Sequence, residues 1–352
     1  MKRRDFVKAT AASAIAAPAI LSAKDSKKVT LKLATSWPKN FPILQTNVDY
    51  FAKRVKEASG GSINIRVFTA NELVPPLGVF DATSLGQIDA YHSATYYWSG
   101  NNSAFSVIAG VPFGFTTEEM GAWLKFGGGL EIWREICAKY NLYPLLGGNT
   151  GFQMGGWFKK EIKSLDNLKG LKMRIPGLGA AVLSKLGVNT VLMPGGELYT
   201  ALERNTIDAA DWVAPAYDLP LELYKVAKYY YTGWYEPASN TEIVFNQKTW
   251  NKLSKEQQEI ISIASDEMNS RMISESLASN AKAYEKLISL GVEIKTLPED
   301  ILDATKNALK EVVKEKSAQN ADFAKAWSSF EDFYRVIKPY SNITTRNYLN
   351  IR

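Results

Sequence analysis

The chain has 352 residues, 42 Lys+Arg against 36 Asp+Glu, one His, one Cys and 46% hydrophobic residues. That composition excludes intrinsic disorder and a collagen-like architecture, and the length suits two domains better than one core. Cys137 alone excludes an intramolecular disulfide and a Cys-based zinc cluster, and His92 alone excludes a multi-His metal site.

Residues 1–23 read as an export signal. Lys2, Arg3, Arg4 and Lys8 precede a small apolar run over 9–21, and Ser22-Ala23 suits a signal peptidase. The paired arginines followed by Phe6-Val7-Lys8 resemble a twin-arginine address, with an ordinary Sec signal as the alternative. The apolar run is too short and too Ala-rich for a comfortable membrane span, and no later stretch reaches span length. No Cys near the cleavage point would carry lipid, so the expected location is the free periplasm. Removing residues 1–23 takes away four basic residues and one acidic one, and the charge falls from +6 to +3. Neither that balance nor the distribution of Lys and Arg points to nucleic acid.

Val29–Thr35 alternates as a strand does and runs into the polar turn Ser36-Trp37-Pro38-Lys39-Asn40. Leu44–Ala58 has helical apolar spacing and stops at Ser59-Gly60-Gly61, after which residues 62–68 return to period two. A strand, helix, strand unit of this kind places the chain in the α/β class. A weak internal repeat follows: residues 80–90 align with 199–209, each a helix closed by a residue tolerant of positive φ, Gly86 or Asn205, and then a turn into a short strand. The repeat predicts two similar lobes. The Gly-rich stretch 147–157 is compatible with a hinge or with an interdomain loop. From Ser254, which makes a capping-box pattern with Gln257, no Pro or Gly intervenes before Gly291. A helix over 254–290 would reach roughly 55 Å at 1.5 Å per residue and could lie across both lobes; a break near Asn269-Ser270 or Ser279-Asn280 is the competing reading. A further helix is expected from Pro298 to about Lys316, and the tail with Trp327, Phe330, Phe333 and Tyr334 packs onto a lobe or a partner chain.

Arg174 sits in a short strand ending at Pro176-Gly177, where its guanidinium could grip a carboxylate with two parallel hydrogen bonds or serve as a surface ion-pair partner. Asp211, Glu236 and the amide oxygen of Gln153 are hard donors suited to sodium or calcium, although they lie on separate segments and their spacing identifies no metal site. Glu118 and Glu119 fall at a helix start and read as capping charge. His92, at a strand end, is more naturally packed than catalytic.

Several stretches together resemble the extracytoplasmic solute receptors of TRAP transporters, the DctP-like family, in the branch that takes 2-oxo and 2-hydroxy acids. They are Gly148-Asn149-Thr150-Gly151-Phe152-Gln153-Met154-Gly155-Gly156-Trp157, Gly170-Leu171-Lys172-Met173-Arg174-Ile175, Gly195-Gly196-Glu197-Leu198-Tyr199-Thr200-Ala201-Leu202-Glu203, Thr206-Ile207-Asp208-Ala209-Ala210-Asp211-Trp212 and Tyr229-Tyr230-Tyr231-Thr232-Gly233-Trp234-Tyr235-Glu236. The resemblance covers nearly the whole mature chain and implies a two-lobed α/β periplasmic binding protein fold, with hinge strands and one long helix spanning both lobes. The lobes are expected over 24–150 with about 238–270, and over 151–237 with about 271–320, leaving a helical tail at 321–352. The resemblance makes Arg174 the carboxylate clamp, with Tyr96, Tyr97, Asn149 and Trp212 as further ligand contacts. Gln153, Asp211, the Trp212 backbone carbonyl and Glu236 would hold a sodium or calcium ion bridging to the substrate, and Asp211 stands where relatives often carry Glu. The implied partners are a small organic acid (pyruvate, another 2-oxo acid or lactate), the TRAP membrane subunits, and a second copy paired through C-terminal helices. A periplasmic enzyme on the same fold and a receptor for another importer or a sensor are the rival readings; one His, one Cys and no Gly-x-Ser-x-Gly elbow weigh against the enzyme.

Overall fold

The computed structural model describes residues 28–352; the expected export signal lies outside them. Eleven strands occur among the described residues: β1 Val29–Thr35, β2 Ile63–Phe68, β3 Ala90–Ala94, β4 Leu142–Asn149, β5 Gly156–Phe158, β6 Lys172–Arg174, β7 Asn189–Val191, β8 Ala209–Ala210, β9 Tyr229–Tyr231, β10 Asn240–Asn246 and β11 Glu293–Lys295. They form two sheets, ordered β2-β1-β3-β10-β4 and β11-β9-β5-β8-β6-β7. Read from β2 and from β7, the sheets share one plan. Two parallel pairings (β2/β1/β3 and β7/β6/β8) are followed by a strand, β10 or β5, that runs antiparallel to both its neighbours.

The sequence repeat is the local signature of that plan. Gly86 and Asn205 both take positive φ, 74° and 59°, closing the helices Val79–Ser84 and Leu198–Glu203. Past the turn, Asp89 N–H donates to the Lys32 carbonyl at 3.1 Å while its carboxylate accepts from Lys32 N–H at 2.8 Å. Asp208 does the same with Lys172, at 2.7 and 3.0 Å. An acid that is both donor and acceptor to one backbone position fixes the entry of the central strand, and each lobe uses it once.

Helix Leu44–Ala58 buries Val48, Phe51 and Val55 against Leu33 and Ile63 of the first sheet and Ile261 and Met268 of the long helix. Burial of each such side chain stabilises the fold by roughly 1.5–3 kcal/mol. The long helix is continuous over Lys255–Ser289, about 52 Å, so neither candidate break forms, and Ser254 with Gln257 makes the expected capping box. In its first half Ser265 Oγ donates to the Leu146 carbonyl and Met272 packs on the first sheet. Further along, Ser276 Oγ lies 2.5 Å from Tyr217 OH and Asn280 Oδ1 accepts from Ala216 N–H at 2.8 Å, both in the second half of the molecule. One rigid element is thereby attached to both lobes.

The chain crosses between the sheets twice near the site, over residues 150–155 and 232–239. The crossings are bonded to each other: Thr150 N–H donates to Ser239 O at 3.0 Å and Gln153 N–H to Glu236 O at 3.0 Å. Helix Ala321–Ser341 folds back on the first lobe, with Phe330 centred 4.4 Å from Phe115 and Tyr334 OH donating to Phe113 O at 2.9 Å. Thr116 and Glu119 form a capping box at the start of Thr117–Phe126, as the acid pair at 118–119 implied.

Candidate functional site

Arg174 ends β6, at the carboxyl edge of the second sheet and facing the first lobe. It is wholly buried. Nε donates to Met193 O at 3.1 Å, NH1 to Asp211 O at 2.6 Å and NH2 to Tyr97 OH at 3.1 Å. The last bond crosses the lobes, since Tyr97 follows β3. These bonds occupy three of the five N–H donors of a guanidinium, leaving one on each terminal nitrogen, the arrangement a carboxylate can take with two parallel bonds. The rings of Trp212 and Tyr97 lie 5.1 and 5.8 Å from the guanidinium carbon and hold its plane. A surface ion pair, the alternative reading of Arg174 from sequence, is excluded by that burial.

Asp211 comes next to the guanidinium by backbone pairing, its N–H donating to Arg174 O at 2.8 Å. Its carboxylate oxygen Oδ2 is 3.9 Å from NH1, too long for a hydrogen bond, and accepts from Tyr235 OH at 3.0 Å instead. Burial therefore outweighs the attraction of Arg174, and the Asp211 pKa is pushed up to about 8. Glu236 is raised well above the carboxylate range, by burial first and by the Asp211 charge second. Three oxygens here, Gln153 Oε1, Asp211 Oδ1 and Glu236 Oε2, are buried without a hydrogen-bond partner. The backbone draws their segments together: Gln153 N–H reaches Glu236 O, and Met154 N–H reaches Val213 O at 2.8 Å.

Unpartnered buried oxygens are costly, and a hard cation satisfies them. Two carboxylates and an amide oxygen fit sodium or calcium. Among the described residues no group of three or more His, Cys, Asp or Glu is placed to hold a metal ion, so an ion here would rest on two carboxylates together with neutral amide and carbonyl oxygens. The indole N–H of Trp212 and the Nδ2 group of Asn240 are likewise buried donors without partners, suited to the oxygens of an anion.

Tyr96 is buried at the same junction: a Cβ added to Gly177 of the second lobe would lie 3.2 Å from its own Cβ. Asn149 ends β4 opposite Asn240, and its Oδ1 accepts from Gly151 N–H at 2.9 Å, which turns it toward the crossing segment. The structure thus brings Arg174, Tyr96, Tyr97, Trp212, Gln153, Asp211 and Glu236 to one junction, with Asn149 at its hinge end. Sequence reasoning passed over Trp37, Phe41, Tyr235 and Asn240. Trp37 and Phe41 pack edge-on against Trp212, with ring centres 6.3 and 6.1 Å apart. Their signal was position: Trp37 stands in the turn just past the carboxyl end of β1, the edge of an α/β sheet where ligands bind. His92 is packed, as expected, with both ring nitrogens engaged.

Residues 33–320 match the family described as Bacterial extracellular solute-binding protein, family 7. The chain is 39% identical over 360 residues to a monocarboxylate 2-oxoacid-binding periplasmic protein of Nostoc sp., covering 99% of this chain and 98% of that one. A TRAP periplasmic solute-binding protein of Colwellia psychrerythraea, solved with bound calcium and pyruvate, superposes with a TM-score of 0.91 at 41% identity, covering 93% of this chain and 100% of that one. Its counterpart from Pseudoalteromonas atlantica, solved with sodium and pyruvate, gives a TM-score of 0.90 at 41% identity, over 92% and 99% of the two chains.

Proposed function

The chain belongs to the family 7 extracellular solute-binding proteins, the DctP family of TRAP receptors, and we propose that its own ligand is a small 2-oxo or 2-hydroxy monocarboxylate such as pyruvate. It binds the acid between the lobes with a bridging calcium or sodium ion and delivers it to the TRAP membrane subunits. One observation carries this reading: a buried guanidinium with one unused N–H on each terminal nitrogen stands beside three buried oxygens that lack partners.

In this reading Arg174 takes the carboxylate on its two remaining N–H groups, and Trp212 Nε1 and Asn240 Nδ2 donate to the other oxygens of the acid. Gln153, Asp211, the Trp212 carbonyl and Glu236 would hold the cation. The ion supplies positive charge to the carboxylate and the 2-oxo oxygen. Dehydrating an organic anion is expensive unless it is paired, and Arg174 on one side and the ion on the other offset that cost. Tyr97 and Trp37 from the first lobe complete the enclosure, so the contacts exist only in the closed state and the acid stabilises closure by differential binding.

Calorimetry with purified protein tests the assignment. Pyruvate should bind with calcium or sodium present and lose affinity in chelator-treated, sodium-free buffer, and denaturation should release it unchanged, as from a receptor and not an enzyme. Arg174→Lys replaces a planar fork by a point charge and should weaken pyruvate by roughly 10- to 100-fold. Unaltered affinity in that variant would remove Arg174 from the site.

We further take the lobes to be 24–150 with about 238–270 and 151–237 with about 271–320, and residues 1–23 to be a twin-arginine signal that sends the folded chain to the periplasm. Arg3→Lys with Arg4→Lys should then strand it in the cytoplasm. Among the described residues no helix is long and apolar enough to cross a membrane. For the helical tail, exposed Val336, Tyr340, Ile343, Tyr348, Leu349 and Ile351 support pairing with a second copy, which sedimentation would register as a dimer.

A further inference from the structure

The register of the two sheets gives His92 a counterpart. In each lobe an acid at the entry of β3 or β8, Asp89 or Asp208, clasps the neighbouring strand β1 or β6 at Lys32 or Lys172 through the same pair of bonds. Three residues beyond these acids stand His92 and Asp211. His92 pairs with Thr35 at the carboxyl end of β1, and Asp211 follows Ala210, which pairs with Arg174 at the carboxyl end of β6. His92 is thus the first lobe's equivalent of a residue that touches the guanidinium, at the same crevice-facing edge.

Its bonds run in two directions. Trp37 Nε1 donates to His92 Nδ1 at 2.7 Å, and because an indole N–H only donates, Nδ1 must be bare and the proton must sit on Nε2. Nε2 then donates to Gly147 O at 2.8 Å, so one tautomer satisfies both partners. Burial lowers the His92 pKa to about 4, which keeps that neutral form over the ordinary pH range. Gly147 is the extra residue of a bulge: Gly148 pairs with Thr241 and Leu146 with Glu242, and the carbonyl between them leaves the ladder. Two residues further on β4 ends and the chain crosses to Gln153. Trp37, at the other end, packs against Tyr97 and Trp212, the two rings that flank Arg174.

We infer that His92 is a positioning residue of the ligand cleft, tying the indole of Trp37 in the cleft wall to the bulged strand that leads into the hinge. A histidine that only filled the core would need partners of any kind. Both of these partners belong to the parts that meet or move when the lobes close: Trp37 touches the second lobe, and Gly147 lies in the strand that runs into the crossing segment. The bond to Nδ1 fixes the rotation of the indole, so Trp37 meets Trp212 edge-on only while the hinge strand keeps its bulge. The inference rests on the cleft reading of Arg174 for its effect on binding, but not for the tie itself.

Four variants test it: His92→Leu, His92→Gln, Trp37→Phe and Arg174→Lys, each titrated with pyruvate in calcium chloride and each followed without ligand by amide hydrogen exchange over residues 35–40 and 143–150. His92→Leu should weaken pyruvate on the order of tenfold, the size of one net hydrogen bond, and should speed exchange in both segments together. His92→Gln should restore both readouts, since its amide can accept from Trp37 and donate to Gly147. Should His92→Leu fail to fold, Trp37→Phe, which keeps a ring and loses the N–H, carries the same expectations for affinity and for the 35–40 segment. Folded His92→Leu that melts lower yet binds pyruvate like wild type, or exchange that rises in one segment only, overturns the inference and leaves a structural histidine. Unaltered binding in Arg174→Lys instead overturns the cleft reading, and the exchange data still decide the tie.

Discussion

Glu242 shows at the scale of one residue how burial sets chemistry here. It lies on β10, fully buried, and its Oε1 accepts from Trp98 Nε1 at 2.6 Å and Tyr91 OH at 2.8 Å, while Oε2 has no partner. Burial raises its pKa to about 7 against these bonds, which pull it down. The sign for stability follows. A carboxyl whose folded pKa lies above the unfolded value of 4.5 binds more protons when folded, so its contribution is full below pH 4.5 and fades as pH rises to about 7. The span corresponds to something on the order of 3 kcal/mol. Glu242→Gln keeps an acceptor for Trp98 and Tyr91 and cannot ionise. Its melting temperature should gain on wild type steadily from pH 4.5 to pH 7, and equal slopes for the two proteins across that window would show that Glu242 is ionised throughout.

At the scale of elements, the bulge in β4 is where the sheet is least tolerant. A Cβ on Gly147 would lie 2.4 Å from the Glu242 carbonyl carbon and 2.7 Å from Ile243 N, both backbone atoms that cannot swing aside. Gly147→Ala should therefore cost about 1–3 kcal/mol as overpacking does and should also disturb the segment running to Gln153. Ser254→Ala makes the control. It removes a cap worth about 1 kcal/mol at the far end of the long helix and should lower the melting temperature without weakening pyruvate. Denaturant titration with calorimetry separates the two, and equal loss of affinity in both variants would mean that the site merely follows global stability. The same contrast explains what the sequence could disclose. Val29–Thr35, Leu44–Ala58 and Lys255–Ser289 are long enough for their periodicity to show, and the caps at Gly86, Asn205 and Ser254 act through local chemistry. Strands such as Ala209–Ala210 and Tyr229–Tyr231 are too short to display any period. Arg174 and Gln153 were legible only through the resemblance of their motifs. Trp37 offered only its place past the carboxyl end of β1, and Phe41 and Asn240 offered less, because their place at the junction arises when two lobes separated by more than a hundred residues come face to face.

For the whole molecule, burial says which state this is. Arg174 and Asp211 have no exposed surface, and Gln153, Glu236 and Trp212 are 3%, 2% and 2% exposed. An acid cannot reach that junction from water without the lobes parting, so the structure is the closed form and an open form must be populated before binding. Parting by rotation about residues 150–155 and 232–239 would leave the sheets intact, but it would have to release the bonds of the long helix to one of the lobes. A ligand that binds only the closed form at 100 times its Kd adds about 2.7 kcal/mol. Pyruvate with calcium should therefore raise the melting temperature by a few degrees and shrink the radius of gyration in solution scattering. Chelated, sodium-free protein should show neither change. A compact scattering profile identical with and without pyruvate and ion would mean that the lobes are locked together, and closure could not then be what the membrane subunits recognise.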